Sequence, residues 1–305
     1  RFVNEFLPEI LVVYASMDSL ESDVGLVDII KESIKDVKVV FVGPWASAYC
    51  EEMIAYPNVD MLAVGEFDYT ILEIAEKRQL SDIRGLCWKD GLKVIKNELR
   101  EGVSEKELGE FGFVTDVYRR HLNIKKYFQA PHLYPFIDLF TGRGCIWGKC
   151  NFCLWPHTIT KSSHYRKRDI KDVMEELCFV KKELPYVKEI FLQDDTLPQD
   201  RAVEISEAIL KSGLKITWSC YSRVDMSYDA LKIMKEAGCR NLHVGYESSS
   251  PEILRLCNKG ITVEMAEDFT RKAAKLGFLI HADFIIGLPG ETSQTIKDTI
   301  FWAKS

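Results

Sequence analysis

The run Thr141-Gly-Arg-Gly-Cys145-Ile-Trp-Gly-Lys-Cys150-Asn-Phe-Cys153 sets three cysteines within nine residues of one glycine-containing loop. Glycine lets the backbone curl, so the three thiols can face a single centre. A zinc ribbon needs a fourth ligand, normally from a second cysteine or histidine pair at fixed spacing, and no such pair occurs. His157 and His164 are the nearest candidates and lack a finger-like spacing. A [4Fe–4S] cluster on three cysteines leaves one iron with an open position, which suits catalysis better than structure. The bland alternative is a structural metal knot or three buried thiols.

The chain on either side alternates apolar β-branched runs with amphipathic stretches. The loop follows a strand at 136–141, and further strands are expected at 187–193, 215–221, 240–246 and 279–286. Helices are expected at 169–184, 200–212 and 228–237, from Pro251, at 263–276 and from 294 onward. Five βα units in register predict a partial (β/α) barrel, whose chemistry belongs at the carboxyl ends of the strands. Upstream, strands at 9–14, 37–42 and 59–64 alternate with helices at 23–35, 48–55 and 69–77. That pattern predicts a parallel, doubly wound sheet with ligand-side ends at Ala15-Ser16, Gly43-Pro44-Trp45 and Gly65-Glu66. A hairpin around Trp88-Lys89-Asp90-Gly91-Leu92, a charged linker at 98–112 and an irregular segment at 113–133 connect the halves. The expected organisation is 1–80, then 81–133 as hairpin and linker, then 134–305.

With 305 residues, 47% of them apolar, the chain can bury a large core, and its length favours two domains. A net charge of −6 argues against a surface built for nucleic-acid backbone. No apolar run is long enough to cross a bilayer and no signal peptide opens the chain, so a cytoplasmic protein is expected. Arg1 at the start and a final stretch that looks like a helix cut midway read as a piece of a longer chain. Of nine cysteines, Cys50, Cys87, Cys178, Cys220, Cys239 and Cys257 are scattered singly and read as small buried hydrophobes.

Three cysteines after a first strand, an aromatic before the third and a barrel behind them resemble the radical S-adenosylmethionine (SAM) superfamily. The usual first spacing of three residues is four here, with Trp147-Gly148 in the gap. The resemblance implies that Cys145, Cys150 and Cys153 hold a [4Fe–4S] cluster whose open iron chelates SAM. It implies SAM contacts from Phe152, from Asp194 and Asp195 in Gln193-Asp-Asp-Thr196, and from Ser219, Arg223 and Glu247. Gly287 and Gly290 of Gly287-Leu-Pro-Gly290-Glu291 look like the family's adenine-supporting turn. Reductive cleavage of SAM would yield a 5′-deoxyadenosyl radical that abstracts hydrogen from an unactivated carbon, with electrons from a partner such as flavodoxin or ferredoxin.

Upstream, Val42-Gly43-Pro44-Trp45 and Val64-Gly65-Glu66 look like the second half of the cobalamin-binding domain of one radical SAM subclass, although its Asp-x-His-x-x-Gly motif is absent. Cobalamin contacts would come from Ser16, Gly43, Pro44, Trp45, Gly65 and Glu66. Thr141-Gly-Arg-Gly-Cys145, Cys153-Leu-Trp-Pro156 and Val244-Gly-Tyr-Glu-Ser248 carry a closer likeness to the hopanoid-pathway and magnesium-protoporphyrin oxidative cyclase-like branch. The implied fold class is α/β: a partial Rossmann-like cobalamin-binding domain, then a partial TIM-like radical SAM barrel. The implied reaction is methylation, cyclisation or ring rearrangement of a lipid, isoprenoid or tetrapyrrole-like small molecule.

Plainer readings stand beside these. Asp194 and Asp195 also read as helix N-terminal carboxylates, Glu247 as half of a salt bridge, and His243 and His281 as satisfied core histidines. Trp45 either stacks on a corrin or plugs an interface, and the basic run 161–171 either is a solvated loop or closes Arg166 and Arg168 over an anionic substrate. Two other functions remain open: a methylthiotransferase-like RNA modifier, and a non-catalytic iron–sulfur or zinc-binding protein.

Overall fold

Val39, Val40, Phe41 and Val42 are all buried, as a strand covered on both faces requires. They form β2 (Lys38–Val42), beside β1 (Ile10–Tyr14), which leads into α1 (Leu20–Ser33). The chain continues through α2 (Pro44–Ala48), α3 (Cys50–Ala55), β3 (Met61–Ala63) and α4 (Asp68–Ala75) to β4 (Leu86–Asp90) and β5 (Lys93–Lys96). The sheet order is β1-β2-β3-β4-β5, parallel through β3 and antiparallel thereafter. Val39, Phe41 and Leu62 face one core with Val27 and Met53, while Val40, Met61 and Ala63 face another with Ile74 and Ile83. The hairpin expected to lie in the connecting region is therefore the antiparallel edge of this first sheet. Its apolar strand faces could not stay in water, and β3 offers them a partner.

The computed structural model describes residues 6–160 and 164–305. They divide into two units: residues 6–103 with 154–160, and residues 104–153 with 164–305. The second unit opens with α5 (Glu105–Leu108), whose start is a capping box between Ser104 and Glu107. α6 (Val114–His121) follows, where sequence predicts an irregular segment. It is held from outside: the Thr115 N–H and hydroxyl both donate to Glu176, at 3.1 and 2.8 Å. Then come β6 (Phe136–Leu139), β7 (Gly142–Arg143), β8 (Arg166–Lys167), α7 (Ile170–Glu183), β9 (Glu189–Leu192) and α8 (Gln199–Ser212). β10 (Trp218–Ser222), α9 (Tyr228–Glu236), β11 (Cys239–Glu247), α10 (Pro251–Leu256), α11 (Val263–Lys275), β12 (Leu279–Phe284) and α12 (Ser293–Lys304) complete it.

The five expected barrel strands form one parallel sheet, ordered β12-β11-β10-β9-β6. Alternate residues sort to two faces. Ile137, Ile190, Leu192, Trp218, Cys220, Leu242 and Val244 pack on the helices through Leu177, Ile205, Leu231 and Phe269. The other face carries Glu189, Phe191, Ser219, Tyr221, Asn241 and His243. There the rings of His132, Phe191, Tyr221, His243 and His281 lie with neighbouring centroids 4.6–5.4 Å apart.

At the amino end of this face, Glu189 accepts the Leu133 N–H at 2.8 Å and pairs with Arg240 at 2.8 Å and His132 at 3.3 Å. Burial alone would raise its carboxyl, but these bonds outweigh burial and bring it down to about 2. A depressed carboxyl contributes stability above its unfolded pKa of 4.5 and loses it as pH falls toward 2. Stepped-pH denaturant titrations should show stability declining across that window. Glu189→Gln should be less stable at neutral pH and flatter below it.

Candidate active site

Asp194, directly after β9, is wholly buried, yet none of its acceptor capacity is idle. Oδ1 takes the N–H of Thr141 at 2.6 Å and of Gly142 at 3.3 Å, and Oδ2 takes the hydroxyls of Thr141 at 2.6 Å and Tyr165 at 2.7 Å. Burial raises its pKa against those bonds. Asp195 accepts the Gly144 N–H at 2.9 Å. The two carboxylates expected to touch SAM tie down the start of the cysteine loop, and four donors engage the single carboxylate of Asp194. The Thr141 carbonyl accepts from the Arg168 N–H at 2.9 Å and the Arg201 guanidinium at 3.0 Å. Arg168, which the sequence reads as either part of a solvated loop or closing over an anionic substrate, is buried among Phe140 O, Asp172 and Glu176. Of the basic run containing it, residues 161–163 lie outside the described residues.

Glycine is required at the loop's neck. Gly144 has φ +98°, and a Cβ there would stand 2.2 Å from the His164 carbonyl oxygen. The far side of the loop is stapled to the turn after α10. The Trp147 indole N–H donates to Asn258 O at 2.7 Å, and the Asn258 amide donates to Lys149 O at 3.0 Å. The Asn151 N–H and side chain donate to Cys257 O and Leu256 O at 3.0 and 2.9 Å. Trp147 lies flat against Gly260, where any Cβ would meet the ring at 2.1 Å. The extra residue in the first cysteine spacing thus belongs to a stretch with its own docking site.

Arg223 lies over the Trp147 ring at 5.2 Å and bonds to Asp225 at 3.0 Å and Gly260 O at 3.4 Å. Glu247, at φ +63° on the end of β11, is buried and pairs with Lys259 at 2.6 Å. Lys259, which sequence reasoning missed, also stands 5.8 Å from the centroid of Phe152. Its only sequence signal is its place in a turn after a helix. Phe152 packs with Ile253, Cys257, Ile285 and Leu288, so the glycine turn after β12 rests on the cysteine loop. There Gly287 (φ +100°) and Gly290 (φ +89°) adopt left-handed conformations, and Glu291 accepts the N–H groups of Gly287 and Leu288 at 2.5 and 3.0 Å. Ser219 does not join this group. It is fully buried in the amino half of β10 and its hydroxyl meets His132 at 3.3 Å. His243 is buried, with Nε2 at 3.2 Å from the Asn241 amide, while His281 is half-exposed beside Asp283.

Cys150 is buried and Cys145 and Cys153 are partly exposed. Burial pushes the Cys150 thiol up to about 11; Lys259 pulls it down, Cys153 and Cys145 push it further, and Arg223 pulls it down. Each of these groups therefore lies within electrostatic reach of Cys150. Among the described residues no three His, Cys, Asp or Glu side chains stand close enough to share one metal ion. A cubane gives each iron its own thiolate, so its ligands stand a cluster's width apart. Three soft thiolates on one loop, flanked by two cations that offset their charge, fit such a group.

In the first unit the three strand ends also come together. Ser47 joins two of them, donating to Gly43 O and accepting the Gly65 N–H, both at 2.9 Å. Pro44 opens α2, the Trp45 ring lies tilted against the exposed Tyr49 with centroids 4.1 Å apart, and Ser16 bonds to Ser19 at 2.8 Å. The π-helical turn Trp155–Ile159 packs on α2, its Ile159 carbonyl 3.7 Å from where a Cβ of Gly65 would stand. Glu66 is buried and accepts the Val103 N–H at 2.7 Å. That bond ties down the chain leaving the sheet. Residues 1–103 contain no histidine, so a corrin on this face would lack an imidazole from that segment.

Comparisons with known proteins accord with this geometry. Over its whole length the chain is 32% identical to an uncharacterized methyltransferase of Pyrococcus horikoshii, of which it covers 66%. Over 97% of its length it is 22% identical to an anaerobic magnesium-protoporphyrin IX monomethyl ester cyclase of Cereibacter sphaeroides, of which it covers 49%. The chain thus spans about half to two thirds of these curated relatives. Among solved structures, the radical SAM methyltransferase TsrM of Kitasatospora setae, with cobalamin and a [4Fe–4S] cluster bound, superposes with a TM-score of 0.75 at 16% identity, over 97% of this chain and 62% of that one. Residues 139–303, holding the cysteine loop and its clamps, match the Radical SAM superfamily. The chain belongs to that superfamily.

Proposed function

We propose that this chain is the catalytic core of a cobalamin-dependent radical SAM enzyme that methylates or cyclises a small molecule at an unactivated carbon. The observation that carries the reading is the cysteine loop itself. It is anchored by Asp194 and Asp195 at the carboxyl end of the parallel strands, with Lys259, Arg223 and Phe152 beside Cys150. Methyltransferase and cyclase relatives, and a fold neighbour that binds cobalamin, support it.

Cys145, Cys150 and Cys153 would hold the cluster, which when reduced supplies the electron that cleaves bound SAM. The protein's own residues bind and orient. Lys259 and Arg223 supply positive charge for the SAM carboxylate, Arg223 with its planar fork already held against Trp147. Phe152 and the Gly287–Gly290 turn offer an apolar and backbone surface for the adenine. The face bearing Phe191, Tyr221 and His243 would meet a ring-bearing lipid, isoprenoid or tetrapyrrole-like substrate, and burial there excludes water. Burial also brings His243 down to about 4, so at neutral pH it offers substrate an uncharged imidazole. Electrons would come from a reduced flavodoxin or ferredoxin.

Anaerobic reconstitution of the full-length protein with iron and sulfide, then reduction in the presence of SAM, tests the reading. Consumption of SAM and corrinoid absorbance after cobalamin loading are expected. Iron uptake without SAM cleavage would sink the enzymatic assignment, and SAM cleavage without corrinoid binding would sink the cobalamin part.

A further inference from the structure

Two pairs of neighbouring cysteines lie away from the cysteine loop, and they differ in access. Cys220 and Cys239 are both buried in the helix-side core of the second unit, and burial, first of all, holds the Cys239 thiol well above its ordinary range. Cys50 and Cys87 of the first unit are placed otherwise. Cys87, on β4, is buried, and Cys50, the first residue of α3, packs partly exposed against the core that contains it. α3 packs on β4, and the two thiols lie close enough for each to shift the other's titration. Lys96 of β5 is Cys87's register partner, so their side chains share a face of the hairpin. Its ammonium reaches Glu51, the residue after Cys50, at 2.6 Å. An open pocket of about 340 Å³ lined by Ser47, Tyr49, Cys50, Glu52 and Lys96 lets a small molecule reach the Cys50 sulfur.

We propose that Cys50 and Cys87 are a thiol–disulfide exchange site, in which Cys50 attacks a small-molecule disulfide and Cys87 resolves the product into an intrachain bond. The chemistry balances with the disulfide as oxidant. The Cys50 thiolate attacks one sulfur of a glutathione disulfide, forming a mixed disulfide and releasing one glutathione thiolate. Cys87 gives its proton to solvent and attacks the Cys50 sulfur, releasing the second. Two protein thiols are oxidised, and one small disulfide is reduced to two thiols. Cys87, chiefly, holds the Cys50 thiol below its ordinary range, Lys96 adding to it and burial and Glu51 opposing. A lowered thiol is the one suited to attack. Cys87 is raised by its neighbour Cys50 and by burial, which suits a resolving thiol and not an attacking one. The bond would tie α3 to the β4–β5 hairpin.

The test uses the full-length, cluster-loaded protein under anaerobic conditions, treated with excess oxidised glutathione, then unfolded, alkylated and peptide-mapped. A linked peptide pair joining Cys50 to Cys87 is expected, with Cys220 and Cys239 alkylated throughout. Cys87→Ser should accumulate glutathione on Cys50. Cys50→Ser, at a partly exposed position, should abolish the linked pair and leave Cys87 a thiol, which keeps the test open where Cys87→Ser does not fold. Full alkylation of both positions in the treated wild type, or glutathione persisting on its Cys50, overturns the proposal. The readout does not depend on SAM cleavage.

Discussion

Cys150→Ser is expected to leave the fold intact and abolish SAM consumption, with reconstituted iron falling from about four per chain to less than about one. Cys150 is the most buried of the three thiols and lies within reach of Lys259 and Arg223, yet it joins none of the apolar core clusters. Losing its sulfur should therefore cost little stability. Iron analysis and circular dichroism on the same sample separate the effects. A variant that keeps its full iron complement and still consumes SAM would place the cluster elsewhere.

Asp194→Ala is expected to cost about 3 kcal/mol of stability, because it leaves the N–H of Thr141 and of Gly142 and two hydroxyls without their acceptor in a buried site. Iron loading should fall with it, since the loop's start is no longer held. Had this carboxylate been a SAM ligand, its removal would weaken SAM binding and leave the melting transition of the ligand-free protein unchanged. Denaturant unfolding without SAM decides between them: an unchanged midpoint would restore the ligand role.

These two residues also mark where reading the chain stopped. The thiols are legible because their chemistry is rare and their spacing tight. The strands on either side are legible because short strand-forming runs alternate with amphipathic helical stretches, and all five in the second unit form where that alternation puts them. Asp194 and Glu247 were found as carboxylates at strand ends, but their partners, Thr141 and Lys259, lie 53 and 12 residues away. A carboxylate offered to a ligand and one spent on a backbone N–H have the same sequence. Ser219 sits near the start of β10, and a strand's pattern shows which face a residue takes more readily than how far along the strand it sits.

The clamps on the far side of the loop were not legible at all. Asn258, Lys259 and Gly260 occupy an ordinary turn, and only the folded chain brings Trp147 onto Gly260. The hairpin at 86–96 reads as a hairpin in the connecting region, and its pairing with β3 was not legible, since nothing local says which sheet edge will accept it. The chain by itself determined what its short-range chemistry determines: the alternation of strands and helices, the faces they bury, and three soft ligands on one loop. The tertiary structure alone decided which carboxylates are saturated by protein donors, which cation stands beside Cys150, and which cysteines become neighbours. Those facts depend on contacts between segments tens of residues apart, and no window of sequence contains both partners.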